Sequence, residues 1–165
     1  MERVTGYSFT VVLAVEIWQK MGAESDAFML TCTDAKAATP LGINSSLRDM
    51  GRFGLLFTPS GRKVPYNIIS GQHLQKIQEG GRPELFAASS IPNWFKDSTL
   101  VLRNTYQWDH VSDEGDFFKL GMGGQGLYIS PSRDLVIAYF GTHDENGMNE
   151  MAKVSRLVAG SGLIE

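Results

Sequence analysis

Phe117-Phe118-Lys119-Leu120-Gly121-Met122-Gly123-Gly124-Gln125-Gly126-Leu127-Tyr128-Ile129-Ser130-Pro131 is the stretch on which the reading of this 165-residue chain turns. Gly121, Gly123 and Gly126 spell G-x-G-x-x-G, the pattern of a dinucleotide-binding turn. That pattern carries meaning only where a strand leads in and a helix leads out, because the helix N-terminus receives the pyrophosphate. Here Leu127-Tyr128-Ile129 is strand-like, Pro131 soon ends it, and a second strand-like run, Leu135 to Phe140, follows. Glycines between two strands predict a turn in an antiparallel sheet, and the nucleotide reading fails on context.

From Asn104 onward the period is that of strands. Thr105–Val111, Phe117–Gly121, Gly126–Ser130 and Asp134–Thr142 are expected as short strands, joined by turns at 113–116 and 131–134. A closing helix over about Asn146–Val158 carries Met148, Met151, Val154, Leu157 and Val158. Upstream, Ser8 caps a helix running to about Met21, with Phe9, Val12, Leu13, Ile17 and Met21 on one face and Gly22 as its stop. Asp26–Thr33 reads as a strand or extended link, and Ala35–Ile43 as a loop broken by Pro40 and Gly42.

Ser46-Leu47-Arg48-Asp49 is a capping-box-like start to a helix presenting Leu47, Met50, Gly54 and Phe57, and Pro59 ends it. Gly51 and Gly54 on or beside that face predict close backbone approach to another element. Ser70–Gln78 is a short helix, Gly80-Gly81 and Pro83 open a loop, and Trp94 and Phe95 are expected to pack. Helices first, an antiparallel sheet of about three to four strands next and a closing helix make an α+β fold. Residues 1–165 read as one domain, with 1–103 mainly helix and loop and 104–165 strands plus the closing helix.

Composition excludes several function classes. A net charge of −3 gives no electrostatic reason to expect nucleic acid as a partner. No apolar run approaches the roughly 18 residues of a membrane span. The first residues carry no apolar leader segment, and the compartment is left open. The single cysteine, Cys32, excludes an internal disulfide and reads as a small buried side chain rather than a catalytic thiol.

Three segments resemble one family in its own order. Ile17 to Ala27 resembles a helix exit in the serine β-lactamase and penicillin-binding-protein-like hydrolases. This broad class C-like group includes esterases, D-aminopeptidases and 6-aminohexanoate-dimer hydrolases. Ser45-Ser46-Leu47-Arg48-Asp49-Met50-Gly51-Arg52-Phe53-Gly54-Leu55-Leu56 resembles its S-L-R-D-x-A-R-F-G-L-L helix. Tyr106-Gln107-Trp108, then Gly121 to Pro131 and Arg133-Asp134-Leu135-Val136, resemble its Y-Q-W and G-H-G-G-Q…P-x-x-D-L-V strands.

The resemblance implies a partial β-lactamase/transpeptidase-like fold and acyl transfer by a Ser-x-x-Lys nucleophile. A Tyr-x-Asn element assists proton transfer there, and a Lys/His-x-Gly strand forms the third wall. Met1 to Gly6 resembles the end of the helix after Tyr-x-Asn, which makes the chain a C-terminal part beginning downstream of nucleophile and tyrosine. Within it, Ser60-Gly61-Arg62-Lys63 and Thr33-Asp34-Ala35-Lys36 imitate Ser/Thr-x-x-Lys only as strings, because Pro59, Gly61 and Pro65 oppose the helical turn that motif needs. Tyr66-Asn67 has the wrong spacing, so no catalytic residue is nominated.

The third wall is present in altered form. Gly121, Met122, Gly123, Gly124 and Gln125 are the candidate substrate-binding residues, with Met122 where relatives carry Lys or His. Glycines there let a peptide-like or acyl ligand approach the backbone closely, and a plain turn with packing glycines is the competing account. No metal is expected: Asp109 and His110 alternate to opposite faces, and Asp113, Glu114 and Asp116 read as a solvated tip. His73 reads as a polar-face helix residue, and His143-Asp144-Glu145 as acids suited to a helix N-terminus.

No cofactor is expected. Three functions remain: a β-lactamase-like segment inactive alone, part of an amide or ester hydrolase completed by an N-terminal segment, or a non-catalytic small-ligand module. Apolar surface left open by a missing N-terminal part predicts homo-oligomerisation or a complementing segment as partner.

Overall fold

The computed structural model describes residues 1–34, 36–39, 42–63, 67–90, 101–142 and 145–163. Pro40, Pro65, Tyr66, Trp94, Phe95 and His143-Asp144 therefore lie outside the described residues.

Two short helices open the chain, α1 (Glu2–Thr5) and α2 (Phe9–Leu13). Ser8 caps α2 as expected, its hydroxyl accepting from the Val11 N–H at 3.4 Å. The single α-helix expected over Ser8–Met21 does not form. The chain widens into a π-turn over Ala14–Trp18, and Gly22 then stops it with φ +73°. Val4, Tyr7, Val11 and Val15 stand exposed along this segment.

A two-stranded arm follows, β1 (Phe28–Met29) against β2 (Ile43–Asn44). Cys32 lies in the excursion between them and is exposed, not buried as expected. Its N–H donates to the Lys36 carbonyl at 2.8 Å, so the local turn and not the core decides where the thiol goes.

Helix α3 (Leu47–Leu55) is fixed by Asp49, which is fully buried. Its carboxylate accepts from the Glu24 N–H (2.9 Å), the Ser25 N–H (3.1 Å), the Ser46 hydroxyl (2.8 Å) and Arg52 Nη1 (3.1 Å). The Glu24 N–H, ahead of the other bonds and against burial, holds this carboxyl below its ordinary range. Asp49 thereby ties the helix start to the turn after the π-segment. Gly54 meets the expectation of close approach, since a Cβ there would lie 2.5 Å from Val136 Cγ1. Gly51 does not, having open space where its Cβ would be.

Helix α4 (Gly71–Glu79) is capped by Ser70, whose hydroxyl accepts from the His73 N–H at 3.1 Å. Helix α5 (Pro83–Ala87) begins at the proline where a loop was expected to open.

The main sheet has five antiparallel strands in sequence order: β3 (Leu102–Thr105), β4 (Trp108–Ser112), β5 (Phe117–Gly121), β6 (Gln125–Ser130) and β7 (Leu135–Phe140). The α+β class with an antiparallel sheet is as expected, and the strand count is higher. The extra strand arises because Thr105–Val111, expected as one strand, is a hairpin turning at Tyr106-Gln107.

One sheet face, with Trp108, Val111, Phe117, Leu127 and Ile129, packs on Met21, Leu56, Phe57, Leu74 and Ile77. The other face, with Phe118 and Tyr128, packs on Ala152 of α6 (Glu145–Ala159). No helix among the described residues is long and apolar enough to cross a membrane.

Candidate functional site

Gly121 to Gln125 form the tip of the β5–β6 hairpin. Gly121 pairs with Gln125, leaving Met122-Gly123-Gly124 as the turn. Gly123 (φ +81°) and Gly124 (φ +105°) hold left-handed conformations that a residue with a Cβ resists. The Gly124 carbonyl accepts from the Gly141 N–H at 3.0 Å, which pins the tip to the end of β7. The turn lifts Met122 into solvent, with 75% of its surface exposed. Gly126 serves packing: a Cβ there would lie 2.3 Å from the Tyr139 hydroxyl oxygen, so its absence seats the ring. That hydroxyl is itself buried without a hydrogen-bond partner, and burial pushes it up to about 12. The G-x-G-x-x-G string is thus a strand–turn–strand element, and β6 stands where a nucleotide turn needs a helix.

The five tip residues carry no titratable side chain. Their chemistry is backbone amides, one thioether and one carboxamide, which suits binding and not proton transfer.

Three chain segments leave the sheet at this same end. β4 begins at Trp108, β5 ends at Gly121 and β7 ends at Phe140, which pairs with Gln125. Two residues absent from the sequence-based site lie here: Tyr106, 57% exposed, and the exposed Gln107. Their only sequence signal is the Tyr-Gln-Trp string, whose turn conformation no residue type announces. His73, expected on a polar face, is half-buried instead, its ring meeting Tyr106 edge-on with centroids 4.9 Å apart.

In each imitation of the nucleophile motif a side chain is held by another partner. Ser60 is tied to Asp134, its N–H and hydroxyl donating to the carboxylate at 2.9 and 2.5 Å. A single 3-10 turn, Gly61–Lys63, follows where a loop was expected, and Ser60 lies outside it. Asp34 and Lys36 pair with each other.

The acidic turn is not all solvated as expected: Asp113 and Glu114 are exposed, but Asp116 is buried. Tyr128 Oη donates to it at 2.6 Å and Arg133 Nη1 at 2.8 Å. Burial first, then the bond to Asp116, pushes the Tyr128 phenol well above its ordinary range. His110 stacks on Phe118, and burial, assisted by the charge on Arg156, lowers it to about 4. Asp109 lies with Lys119 instead, so the two neighbours do alternate across the sheet. Among the described residues no three His, Cys, Asp or Glu side chains converge to hold a metal.

A groove runs between α3 and the outer edge of β7, with Leu55, Val136 and Ala138 along it and Arg48 and Arg52 beside them. Among the described residues no strand pairs with that edge.

No family model matches the chain. It is 25% identical over 138 residues, 83% of its length, to the 6-aminohexanoate-dimer hydrolase of Paenarthrobacter ureafaciens. The matched region is 34% of that hydrolase, so the chain spans about a third of the relative's length.

Proposed function

We propose that these 165 residues form a single unit supplying one wall of the active site of a serine β-lactamase-like hydrolase. Gly121, Met122, Gly123, Gly124 and Gln125 are its ligand-binding residues. One observation carries the reading. A glycine tip, held in left-handed conformations, pinned to β7 and exposed at Gly123, sits in a chain distantly similar to a 6-aminohexanoate-dimer hydrolase. The dimer named for that relative points to the ligand class, an extended amide or related ester.

The nucleophile comes from outside this sequence, since no Ser-x-x-Lys here sits on a helix. The chain is then the C-terminal part of the fold and inactive by itself. The edge of β7, unpaired among the described residues, its groove along α3 and, separately, the exposed Val4, Tyr7, Val11 and Val15 support completion by an N-terminal segment or a second copy.

Intact-mass analysis after treatment with a fluorophosphonate and a chromogenic β-lactam tests the catalytic half of the proposal. The expected result is an unmodified chain and no turnover. An acyl adduct on any serine overturns it. The binding half predicts that linear 6-aminohexanoate dimer shifts the amide resonances of residues 121–125.

A further inference from the structure

We infer that the Tyr106–Gln107 turn is a second wall of the ligand site, facing the Gly121–Gln125 tip, and that the two walls grip an extended amide chain with an apolar segment. The inference rests on the proposed role of the tip.

Its first support is the backbone. Thr105 pairs with Trp108, so Tyr106 and Gln107 are the two central residues of a tight hairpin, with φ +47° and +68°. Two consecutive left-handed residues select Asn-Gly or Gly-Gly, and a tyrosine followed by a glutamine is strained there. Neighbours hold the strain in place. Asn104 Nδ2 donates to the Trp108 carbonyl at 2.6 Å, and the His73 ring abuts Tyr106. Gly81 lets the chain beyond α4 close in, since a Cβ there would lie 2.6 Å from the Asn104 carbonyl. Yet Tyr106 as a whole is more than half exposed, so core packing does not account for it.

The second support is a split in the sheet. The carboxylate of Asp109 accepts from the Leu120 N–H at 2.7 Å and from Lys119 Nζ at 2.8 and 2.9 Å. A side chain thus takes a backbone donor that strand pairing would otherwise use. β4 and β5 pair at His110–Phe118 and Val111–Phe117, whereas β5 and β6 pair at five positions. Extending the β4–β5 register sets position 106 across from 122, beyond the last paired residues. The two hairpins leave the sheet side by side there with no ladder joining them, and Tyr106 and Met122 flank the gap.

The chemistry of the gap names the ligand class. Tyr106 and Met122 flank it, with Gln125 one strand further on β6, and none of the three carries a formal charge. The Tyr106 ring and the Met122 thioether suit a methylene segment, while the Gln125 carboxamide and the glycine backbone pair with amide groups.

The test compares the full chain with Y106N/Q107G and Q107G, titrated with linear 6-aminohexanoate dimer and followed by backbone amide resonances and thermal unfolding. Dimer is expected to shift residues 105–109 together with 121–125. Y106N/Q107G should unfold about 2–4 °C higher, because strain is relieved, while binding the dimer about five-fold more weakly for want of one aromatic contact. Q107G, which keeps the ring, should retain affinity.

A higher melting temperature with unchanged affinity in Y106N/Q107G overturns the inference. So does a lower melting temperature, which would make the ring structural. Shifts confined to 121–125 overturn it while leaving the tip's role standing. No shift in either segment removes both.

Discussion

The two ends of the five-stranded sheet handle exposed and buried chemistry in opposite ways. At the end made by residues 113–116 and 131–134, one acid turns inward. Asp116 is buried against Tyr128 and Arg133, and the outer guanidinium nitrogen of Arg133 reaches Glu114, which Arg156 of α6 also approaches. At the other end the apolar groups turn outward: Tyr106, Met122 and Phe140 all stand in solvent. A buried ionic network cross-links turns and helix, and its loss costs folding free energy. Exposed rings and a thioether over strained or left-handed backbone contribute little to folding, which agrees with the binding role proposed for this end.

The largest expected effect that sharpens this contrast is Asp116→Ala. It leaves the Tyr128 hydroxyl buried without an acceptor and Arg133 without its buried partner. The loss of stability should be about 3 kcal/mol, toward the lower end for a broken buried pair because Arg133 is partly solvated. Urea unfolding measures it. A change within about 0.5 kcal/mol would erase the distinction between the ends.

His110 gives the next effect, through pH. It packs between Phe118 and the charge of Arg156 and is lowered to about 4 from an ordinary 6.5. Between those values the unfolded chain binds a proton that the folded chain refuses, so stability rises with pH in this window. The contribution is complete above about pH 6.5 and falls progressively toward pH 4, by up to about 3 kcal/mol. Unfolding of His110→Phe should lack that part of the slope. Identical slopes in the two proteins would show that carboxylates alone set the acid response.

Most of the frame was legible where one residue type dictates one conformation. Ser8, Ser46 and Ser70 each cap the helix expected of them, and alternation located β5, β6 and β7 to within two residues. The failures share a cause in tertiary contact. Tyr-Gln is a poor tight turn by local preference, so Thr105–Val111 reads as one strand until Asn104, His73 and Gly81 force the hairpin. Asp116 looks like a tip acid until Tyr128 and Arg133, twelve and seventeen residues away, arrive beside it. Cys32 looks like core because its neighbours are apolar, but the arm that carries it leaves Phe28 and Leu30 exposed as well. Of the proposed site, the glycine tip was legible and the turn proposed as its opposite wall was not, because nothing in a sequence marks strain.

The smallest expected effect on stability falls on Met122, and it is the sharpest measure of the open end. Three quarters of its surface meets solvent, so Met122→Ser removes almost no burial and should change the unfolding free energy by less than about 0.5 kcal/mol. The turn should survive, because Gly123 and Gly124 and the bond from the Gly141 N–H to the Gly124 carbonyl define it without help from the side chain. Binding is where the change should appear. Removing the thioether takes away one apolar contact to a methylene segment, so the affinity for linear 6-aminohexanoate dimer should drop about two- to five-fold. Thermal unfolding and amide titration of the same sample separate the two quantities. Equal small effects on both would make the tip a plain turn. A large loss of stability with affinity intact would make this end structural after all, and the two ends of the sheet would then differ only in polarity.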